Sequence, residues 1–276
     1  MKQTWFITGS SRGLGLEIAK AALAAGHNVV ATARNKSASD AAFGSSSEHL
    51  LTLGLDVTQP EEVSKAVDAA VSRFGGIDVL VNNAGYGQLG FFEENTLQDA
   101  RDQLETNLFG VLNVTWATLP VMRAAKSGRI FNISSLGGIC GSMTGSIYCA
   151  SKFGVEGFSE SLAQEVEPLG IHITIVEPGL FKTDFLSSTS VRFGAQTIAD
   201  YAAQSEQLQQ LYRGLNGQQK GDPAKLAAAL LRLANEPQPP LRFAAGEDAV
   251  KAIEEKLAKL RLDLEQWKAL SVSTSE

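Results

Sequence analysis

The chain has 276 residues, a formal net charge of −6 and a pI of about 5.3, with 44% hydrophobic and 20% charged residues. This length and composition allow a sizeable core, in one large domain or two small ones. No basic run is present, which argues against a protein that binds nucleic acids or anionic membranes. No window of 18 apolar residues is free of charge, which argues against a membrane span.

The number of cysteines and the position of the first apolar run indicate the cellular compartment of the protein. The chain has two cysteines, Cys140 and Cys149, and the run TWFITG begins almost at the N-terminus. That position leaves no room for a signal peptide, and so few cysteines do not indicate a disulfide framework. We therefore expect a protein of the reducing cytoplasm.

Short apolar runs rich in β-branched residues alternate with helical patterns along the chain. WFIT precedes a helix over 14–25, NVVATA a weak helix, LLTLGL a helix over 60–74, and IDVLVN helices that continue through 126. RIFNIS precedes a helix that contains YCASK (148–152), and IHITIVEP precedes an irregular stretch. A helix over 223–235, the strand LRFAA and a helix over 247–269 follow. Because parallel strands need crossover helices, this alternation predicts a Rossmann-type, doubly wound α/β fold with helices on both faces of a parallel sheet.

The domain organisation follows from what interrupts this alternation. Residues 180–221 are rich in Ser, Gln, Gly and Phe and show no clear period. Long irregular stretches inside a domain are usually functional, so we predict a substrate lid there. With no linker and no internal repeat, we predict a single domain over 1–270 and a frayed tail over 271–276.

A glycine-rich turn follows the first predicted strand. The sequence TGSSRGLG (8–15) lies between that strand and the amphipathic run LEIAKAALAAG. Glycines at such a turn let the backbone approach a phosphate, which the helix N-terminus then stabilises. A simple tight turn is the alternative. We predict that the turn binds a dinucleotide through Gly9, Ser11, Arg12, Gly13, Leu14 and Gly15.

The glycine spacing resembles that of the short-chain dehydrogenase/reductase family. Further landmarks of that family appear in order over residues 3–245: Asp56-Val57, Asn82-Asn83-Ala84-Gly85, Asn107, Ser134-Ser135, Tyr148 with Lys152, Pro178-Gly179 and Thr183. The segments ATARN and NNAGYG look most like the branch that contains steroid and retinol dehydrogenases and bacterial ketoreductases. The resemblance implies the same α/β fold and hydride transfer between a nicotinamide and a carbonyl or secondary alcohol.

The resemblance also implies the catalytic residues. Tyr148 would be the general acid or base, and Lys152, one helical turn away, would lower the pKa of the phenol and bind the nicotinamide ribose. The family's serine lies 13 residues before the tyrosine, which selects Ser135 over Ser134. Asn107 would hold a water molecule that links the lysine to solvent, or would simply be an amide at a helix kink.

The remaining family positions would bind the cofactor. Asp56 and Val57 would contact the adenine, although Asp56 could equally flank the next helix. The Asn82-Asn83 pair could likewise be a buried amide ladder. The full implied cofactor set beyond the glycine turn is Arg34, Asp56, Val57, Asn83, Ala84, Gly85, Tyr148, Lys152, Pro178, Gly179 and Thr183.

The end of the second predicted strand indicates which cofactor binds. An NAD-binding chain of this type usually has Asp or Glu there to accept hydrogen bonds from the ribose hydroxyls. Here the strand ends Ala31-Thr32-Ala33-Arg34, without a carboxylate. Arg34 and Arg12 could together bind a 2′-phosphate, so we predict NADP(H) rather than NAD(H).

Several other residues indicate whether the protein binds a metal, a partner or an apolar substrate. His27, His49 and His172 are scattered, which predicts no metal site, and Cys149 is expected to pack rather than react. Leu257, Leu260 and Leu264 form a stripe that could contact a partner, although covering the protein's own sheet edge is the simpler interpretation. We expect a small, mainly apolar substrate, because the loops expected to flank the nicotinamide carry Leu136, Ile139, Met143, Phe181, Phe185 and Phe193, with Gln88 one of the few neutral polar groups near them.

The leading hypothesis is an NADP(H)-dependent oxidoreductase. The alternatives are a non-catalytic dinucleotide sensor, which would be expected to lack the Ser–Tyr–Lys set, and a sugar-nucleotide epimerase or dehydratase, which normally has a longer C-terminal lobe. The family commonly pairs the helices that follow Asn107 and contain Tyr148. We therefore expect a homodimer or homotetramer.

Overall fold

The computed structural model describes residues 2–44 and 47–275. Its strands, in chain order, are β1 (Thr4–Ile7), β2 (Asn28–Ala33), β3 (Leu50–Gly54), β4 (Val79–Asn82), β5 (Gly87–Leu89), β6 (Gly128–Ile133), β7 (Ile171–Pro178), β8 (Val191–Phe193) and β9 (Arg242–Ala245). Seven of them form one parallel sheet in the order β3-β2-β1-β4-β6-β7-β9. The chain reverses direction across the sheet between β1 and β4, as a doubly wound fold requires.

Helices cover both faces of this sheet. In chain order the α-helices are α1 (Gly13–Ala24), α2 (Lys36–Phe43), α3 (Pro60–Phe74), α4 (Leu97–Leu104), α5 (Gly110–Ala125), α6 (Ser146–Val166), α7 (Ala202–Leu215), α8 (Pro223–Ala234) and α9 (Glu247–Val272). One core joins the sheet to α1 and α8, through residues such as Ile18 and Leu230. The other joins it to α3, α5 and α6, through Val67, Val114 and Leu162. The predicted α/β fold is confirmed.

The central strands are apolar because both of their faces are covered. All four residues of β1 are buried, and Trp5 pairs with Val29 of β2 on one side and Val79 of β4 on the other. A strand buried on both faces reads as a continuous apolar run rather than an alternating one. All neighbours in the sheet are parallel, so the carboxyl ends of the strands lie along one edge.

The 180–221 segment is more regular than its sequence indicates. It contains β8, which pairs with β5 in a separate two-stranded parallel sheet, and the 14-residue helix α7. Leu208, Leu211, Tyr212 and Leu215 of α7 follow one another at the i, i+3, i+4 and i+7 spacing of an amphipathic helix, a signal that sequence reasoning missed. Tyr201, just before α7, stacks on Phe91 with ring centroids 4.5 Å apart. The expectation of an irregular stretch is therefore wrong.

The C-terminal helix also differs from expectation. Helix α9 continues to Val272, into the tail predicted to be frayed. Leu257, Leu260 and Leu264 are 59%, 50% and 62% exposed. They do not cover the sheet edge, so the simpler interpretation of this stripe is wrong.

One helical run has the length and composition of a membrane span. Within the described residues this is Leu97–Ala125, which comprises α4, α5 and the segment between them. Core helices of soluble proteins meet the same criterion, so a single such helix is weak evidence. Its buried residues Val114 and Met122 pack in the core beneath the sheet, which accounts for part of its apolar character.

Candidate active site

A cavity of about 680 Å³ opens at the carboxyl edge of the sheet. The glycine turn, the ends of β4, β6 and β7, and one face of α6 line it. Ligands of doubly wound sheets bind at this edge, next to the point where the strand order reverses. Every predicted site residue lines the cavity except Gly15 and Asn107, which lie behind its wall.

The glycines of the turn are required by close backbone contacts. Gly9 and Gly13 have φ values of +65° and +58°, a region that favours glycine. A Cβ atom on Gly9 would lie 2.9 Å from Cα of Ala84, and one on Gly15 would lie 2.5 Å from the carbonyl oxygen of Gly9. The turn thus presents bare backbone to the cavity, which is the form of site that a pyrophosphate needs. Gly15 acts by allowing this packing.

Asn83 holds the glycine turn against the end of β4. Its Nδ2 donates hydrogen bonds to the carbonyl oxygens of Thr8 and Gly9, both at 2.9 Å. The Thr8 hydroxyl accepts from the backbone N–H groups of Asn83 and Ala84, at 2.9 and 3.0 Å. Asn83 therefore shapes the wall of the cavity.

Asn82 belongs to a buried amide ladder, as the alternative interpretation proposed. Its Nδ2 donates to Asn132 Oδ1 at 2.8 Å, and Asn132 Nδ2 donates to the Ser159 hydroxyl at 2.8 Å. All three residues are buried. The ladder ties β4, β6 and α6 together beneath the cavity, so adjacent asparagines have separate structural roles.

Asp56 shapes the loop before α3 and also lines the cavity. Its Oδ1 accepts from the backbone N–H and hydroxyl of Thr58, at 3.0 and 2.8 Å. The backbone N–H of Asp56 donates to Glu62 Oε2 at 2.9 Å. The helix-flanking interpretation is therefore correct locally, and it remains compatible with contact to a ligand in the cavity.

Tyr148 and Lys152 lie one turn apart on α6. Lys152 Nζ is 5.9 Å from the centroid of the Tyr148 ring and donates to the carbonyl oxygen of Ile133 at 2.8 Å. Burial raises the pKa of Tyr148 to about 12. Burial also lowers the pKa of Lys152 to about 8, an effect that the nearby Glu156 carboxylate opposes. The shift of the Tyr148 pKa is opposite to the one expected from sequence, because burial of the phenol raises the pKa more than the hydrogen bond with Ser135 lowers it.

Ser135 and Ser134 face different surroundings. A Cβ on Gly137 would lie 3.4 Å from Ser135 Oγ and 3.2 Å from Cε1 of Tyr148, so these two side chains flank the same glycine. Ser135 Oγ also accepts from the N–H of Gly137 at 3.0 Å. The Ser134 hydroxyl instead lies against Gly138, next to Glu156. Of the two serines, Ser135 is the one beside Tyr148.

Asn107 lies in a five-residue π-helical segment, Glu105–Phe109, between α4 and α5. Its Oδ1 accepts from the N–H of Tyr86 at 3.1 Å, and its Nδ2 donates to Tyr86 O at 2.9 Å and Ser151 Oγ at 3.2 Å. The side chain is buried and bonded to protein atoms. It fixes the loop after β4 against α6, and π-helical segments of this kind often occur at functional sites.

The two arginines of the predicted phosphate clamp differ in their contacts. Arg12 Nη2 donates to the carbonyl oxygen of Thr189 at 2.9 Å, and Nη1 bonds the Thr189 hydroxyl. Arg34 is exposed at the cavity rim and makes no side-chain hydrogen bond to the residues that the structure describes. Arg12 thus links the glycine turn to the 180–221 segment, and Arg34 has free donors.

The apolar side chains of the cavity differ in part from those expected. Leu136, Phe181 and Phe185 line it, and Phe185 lies 5.9 Å from Tyr148 between ring centroids. Gln88 is instead buried and donates to Asn95 Oδ1 at 2.8 Å. Ile139, Met143 and Phe193 also lie outside the lining. Apolar residues that sequence reasoning missed in the lining are Leu89, Leu180 and Leu186.

An ion-pair cluster beside Lys152 was also missed. Arg242 of β9 contacts Glu156 of α6 and bonds Glu177 of β7 at 3.1 Å and Glu160 of α6 at 2.6 Å. Burial raises the pKa values of Glu156 and Glu177. Glu156 follows Lys152 by four residues, and this helical spacing was the available signal.

His27 and Cys149, two of the residues that sequence reasoning set aside, have structural contacts. His27 Nδ1 accepts from the N–H of Gln3 at 3.1 Å. Cys149 is buried, with its sulfur 3.8 Å from the carbonyl oxygen of Cys140. Across residues 2–44 and 47–275, no group of three or more His, Cys, Asp or Glu side chains is placed to hold a metal ion.

Comparisons with known proteins agree with this geometry. The family model for short chain dehydrogenases matches residues 3–193. Oxidoreductase BOA17 of Botryotinia fuckeliana is 40% identical over the full length of both chains. The 3-ketodihydrosphingosine reductase of Bacteroides thetaiotaomicron is 38% identical over 88% of each chain. The crystal structure of a short-chain dehydrogenase from Streptomyces avermitilis is 40% identical, with a TM-score of 0.91 over 99% of this chain and 98% of that one.

Proposed function

Since the chain belongs to the short-chain dehydrogenase/reductase family, we propose that it is an NADP(H)-dependent reductase or dehydrogenase of apolar carbonyl or alcohol substrates. The observation that carries the proposal is that Ser135, Tyr148 and Lys152 line the same cavity as the glycine turn. The bare backbone at Gly9 fits a pyrophosphate. A bound nicotinamide cofactor supplies or accepts the hydride.

The protonation states of the site favour Tyr148 as the acid in the reductive direction. With a pKa of about 12, its phenol is protonated at neutral pH and can give its proton to a carbonyl oxygen. The Ser135 hydroxyl would donate a hydrogen bond to the same oxygen. Lys152, with a pKa of about 8, is mostly charged at neutral pH and would hold the ribose and replenish the phenolic proton. The intact Ser–Tyr–Lys set disfavours the sensor alternative.

Arg34 supports NADP(H) as the cofactor. It is exposed at the rim of the cavity directly after β2, a strand that ends without the carboxylate that would repel a 2′-phosphate. Because Arg12 is bonded to Thr189, the selectivity of the clamp rests first on Arg34. Arg12 would contribute if one of its hydrogen bonds to Thr189 were replaced by a hydrogen bond to the 2′-phosphate.

The lining of the cavity supports a neutral, mainly apolar substrate. Leu136, Phe181 and Phe185 line the cavity, and the Phe185 ring lies next to Tyr148. One relative carries a name that states a keto substrate, 3-ketodihydrosphingosine. In this proposal the 180–221 segment covers the substrate, and opening and closing it would control access.

Oligomerisation and cytoplasmic location complete the proposal. Trp116 of α5 is 83% exposed. Phe109, directly before α5, is 47% exposed, and Phe153 of α6 is 45% exposed. Exposed aromatic side chains on one pair of helices support a homo-oligomer that covers them.

The acidic pI and the two free cysteines fit a soluble protein in a reducing compartment.

An activity screen tests the proposed function. The purified protein is assayed with NADPH and NADH against neutral ketones, ring ketones, sterols and keto acids. Tyr148→Phe should lower turnover ~10² to 10⁴-fold, with cofactor affinity unchanged, because only the proton donor is removed. Tyr201→Phe is the control, since Tyr201 lies outside the cavity. Activity above about a tenth of wild type in Tyr148→Phe, or a preference for charged keto acids, would contradict the proposal.

A further inference from the structure

Helix α9 projects from the body of the protein. At its start, the carboxylate of Asp248 accepts from the N–H of Leu180 at 2.7 Å, and Ala249 is buried. Every described residue from 257 to 275 is exposed. At 1.5 Å per residue, the 16 residues of α9 from Leu257 to Val272 extend for about 24 Å without a covering element.

Helix α9 has an apolar stripe with coiled-coil spacing, which begins at Val250 and the half-buried Ile253 and continues into the exposed part of the helix. The stripe residues follow one another at alternating steps of three and four: Val250, Ile253, Leu257, Leu260, Leu264 and Trp267. Leu257, Leu260, Leu264 and Trp267 are 50–62% exposed. These are the a and d positions of a heptad repeat, at which the side chains of one helix pack into holes between the side chains of a second helix. We call these six residues the α9 seam. A single copy of the chain leaves most of the seam exposed to water.

The charges beside the seam select the partner and its direction. If two copies of α9 run antiparallel with Leu257 of each opposite Leu260 of the other, all six seam residues pair. Lys256 then lies next to Asp263 of the second copy, and Glu254 next to Arg261. The two-fold axis repeats both contacts, so all four pairs are attractive. In a parallel pair, Asp263 would face Lys268, but Lys256 would face Arg261, a repulsion that the antiparallel pair lacks.

A membrane surface fits α9 less well. Interfacial amphipathic helices are rich in Lys and Arg on their polar face. Helix α9 carries five basic and six acidic residues, and the whole chain has a net charge of −6. These mixed charges match a second copy of the helix rather than an anionic surface.

We propose that α9 is a dimerisation helix that forms an antiparallel, two-stranded coiled coil with α9 of a second copy of this chain. The interface is separate from the catalytic cavity, because no residue of α9 lines that cavity. It is also separate from the exposed aromatic residues near α5 and α6. The proposal therefore does not depend on the proposed reaction.

Sedimentation equilibrium at micromolar concentration tests the interface. Leu257→Glu/Leu264→Glu places carboxylates in the seam and should halve the mass of the wild-type assembly. Leu262→Glu is the matched control, since Leu262 is 70% exposed on the opposite side of the helix, and its mass should equal that of wild type. Circular dichroism of each variant verifies that the fold is retained. Equal masses for wild type and the double variant, or a wild-type protein of 29.3 kDa, would overturn the proposal.

Cysteine cross-linking tests the direction. In the antiparallel pair, position 264 meets position 253 of the other copy and lies about 16 Å along the axis from its own equivalent. A mixture of Ile253→Cys and Leu264→Cys proteins should form a disulfide-linked dimer on oxidation, whereas Leu264→Cys alone should not. Oxidised wild type controls for Cys140 and Cys149. Linkage of Leu264→Cys alone, or association of a monomeric wild type with phospholipid vesicles, would contradict the antiparallel pair.

Discussion

Arg34 is the side chain on which cofactor selectivity should depend. Among residues 2–44 and 47–275 it has no side-chain hydrogen-bond partner at the end of β2, whereas Arg12 is bonded to Thr189. Arg34→Ala should weaken NADPH binding roughly ten- to hundred-fold, because a charge-assisted contact is lost, and should leave NADH binding nearly unchanged. Titration of both cofactors measures this, with Lys36→Ala as the control because Lys36 pairs with Asp40. Equal weakening of both cofactors would show that Arg34 does not bind the phosphate.

The pH dependence of reduction should report the charge of Lys152. Its folded pKa of about 8 lies below the ordinary value, so the charged form is complete well below pH 8 and is lost as the pH rises. Tyr148 stays protonated over this range, with its pKa of about 12. We therefore predict that kcat/KM for reduction is level near pH 6 and declines above about pH 8. Lys152→Arg, which keeps its charge, should lack this decline; a wild-type profile that is flat to pH 10 would refute the assignment.

At the scale of elements, Arg242 fastens the edge strand β9 to its neighbours. It bonds Glu177 of β7 and Glu156 of α6, whose side chains are 3% and 6% exposed. Arg242→Ala would leave two buried carboxyl groups without their cation. Since Arg242 itself is 37% exposed, water moderates the loss to about 1–3 kcal/mol of unfolding free energy.

That loss should depend on pH in a defined direction. Burial raises the folded pKa values of Glu156 and Glu177, so their charged forms destabilise the fold increasingly as the pH rises. Urea unfolding of Arg242→Ala should thus show a larger loss at pH 8 than at pH 5. Arg232→Ala, which removes an exposed pair with Glu236, is the control and should change little. A loss that is the same at both pH values would argue against buried carboxylates as its cause.

At the scale of the whole molecule, two separate apolar surfaces predict a tetramer. One is centred on Trp116 of α5, and the other is the seam of α9. Two different two-fold interfaces generate a closed assembly of four chains when their axes intersect at right angles, which is the arrangement that we predict. Trp116→Glu and Leu257→Glu/Leu264→Glu should each give dimers, and the triple variant should sediment at 29.3 kDa. If Trp116→Glu alone were monomeric, the α9 contact would not be sufficient to hold a dimer.

The amino-acid sequence by itself determined the α/β alternation and the residues of the cofactor and catalytic motifs. These features are local: apolar runs predict strands such as β1, and the spacing of Gly9, Gly13 and Gly15 predicts a strand-to-helix turn. The helix predicted over 60–74 begins and ends where α3 does. Local signals of this kind persist in the fold because the same residues form the core.

Only the tertiary structure decided how distant residues act on one another. Glu156 and Arg242 are 86 positions apart, and Arg12 and Thr189 are 177 apart, so no periodic pattern relates them. The pKa of Tyr148 rises because burial, which depends on the whole fold, outweighs the hydrogen bond with Ser135. The exposure of the α9 leucines has the same origin, since periodicity defines a stripe but not the surface that covers it.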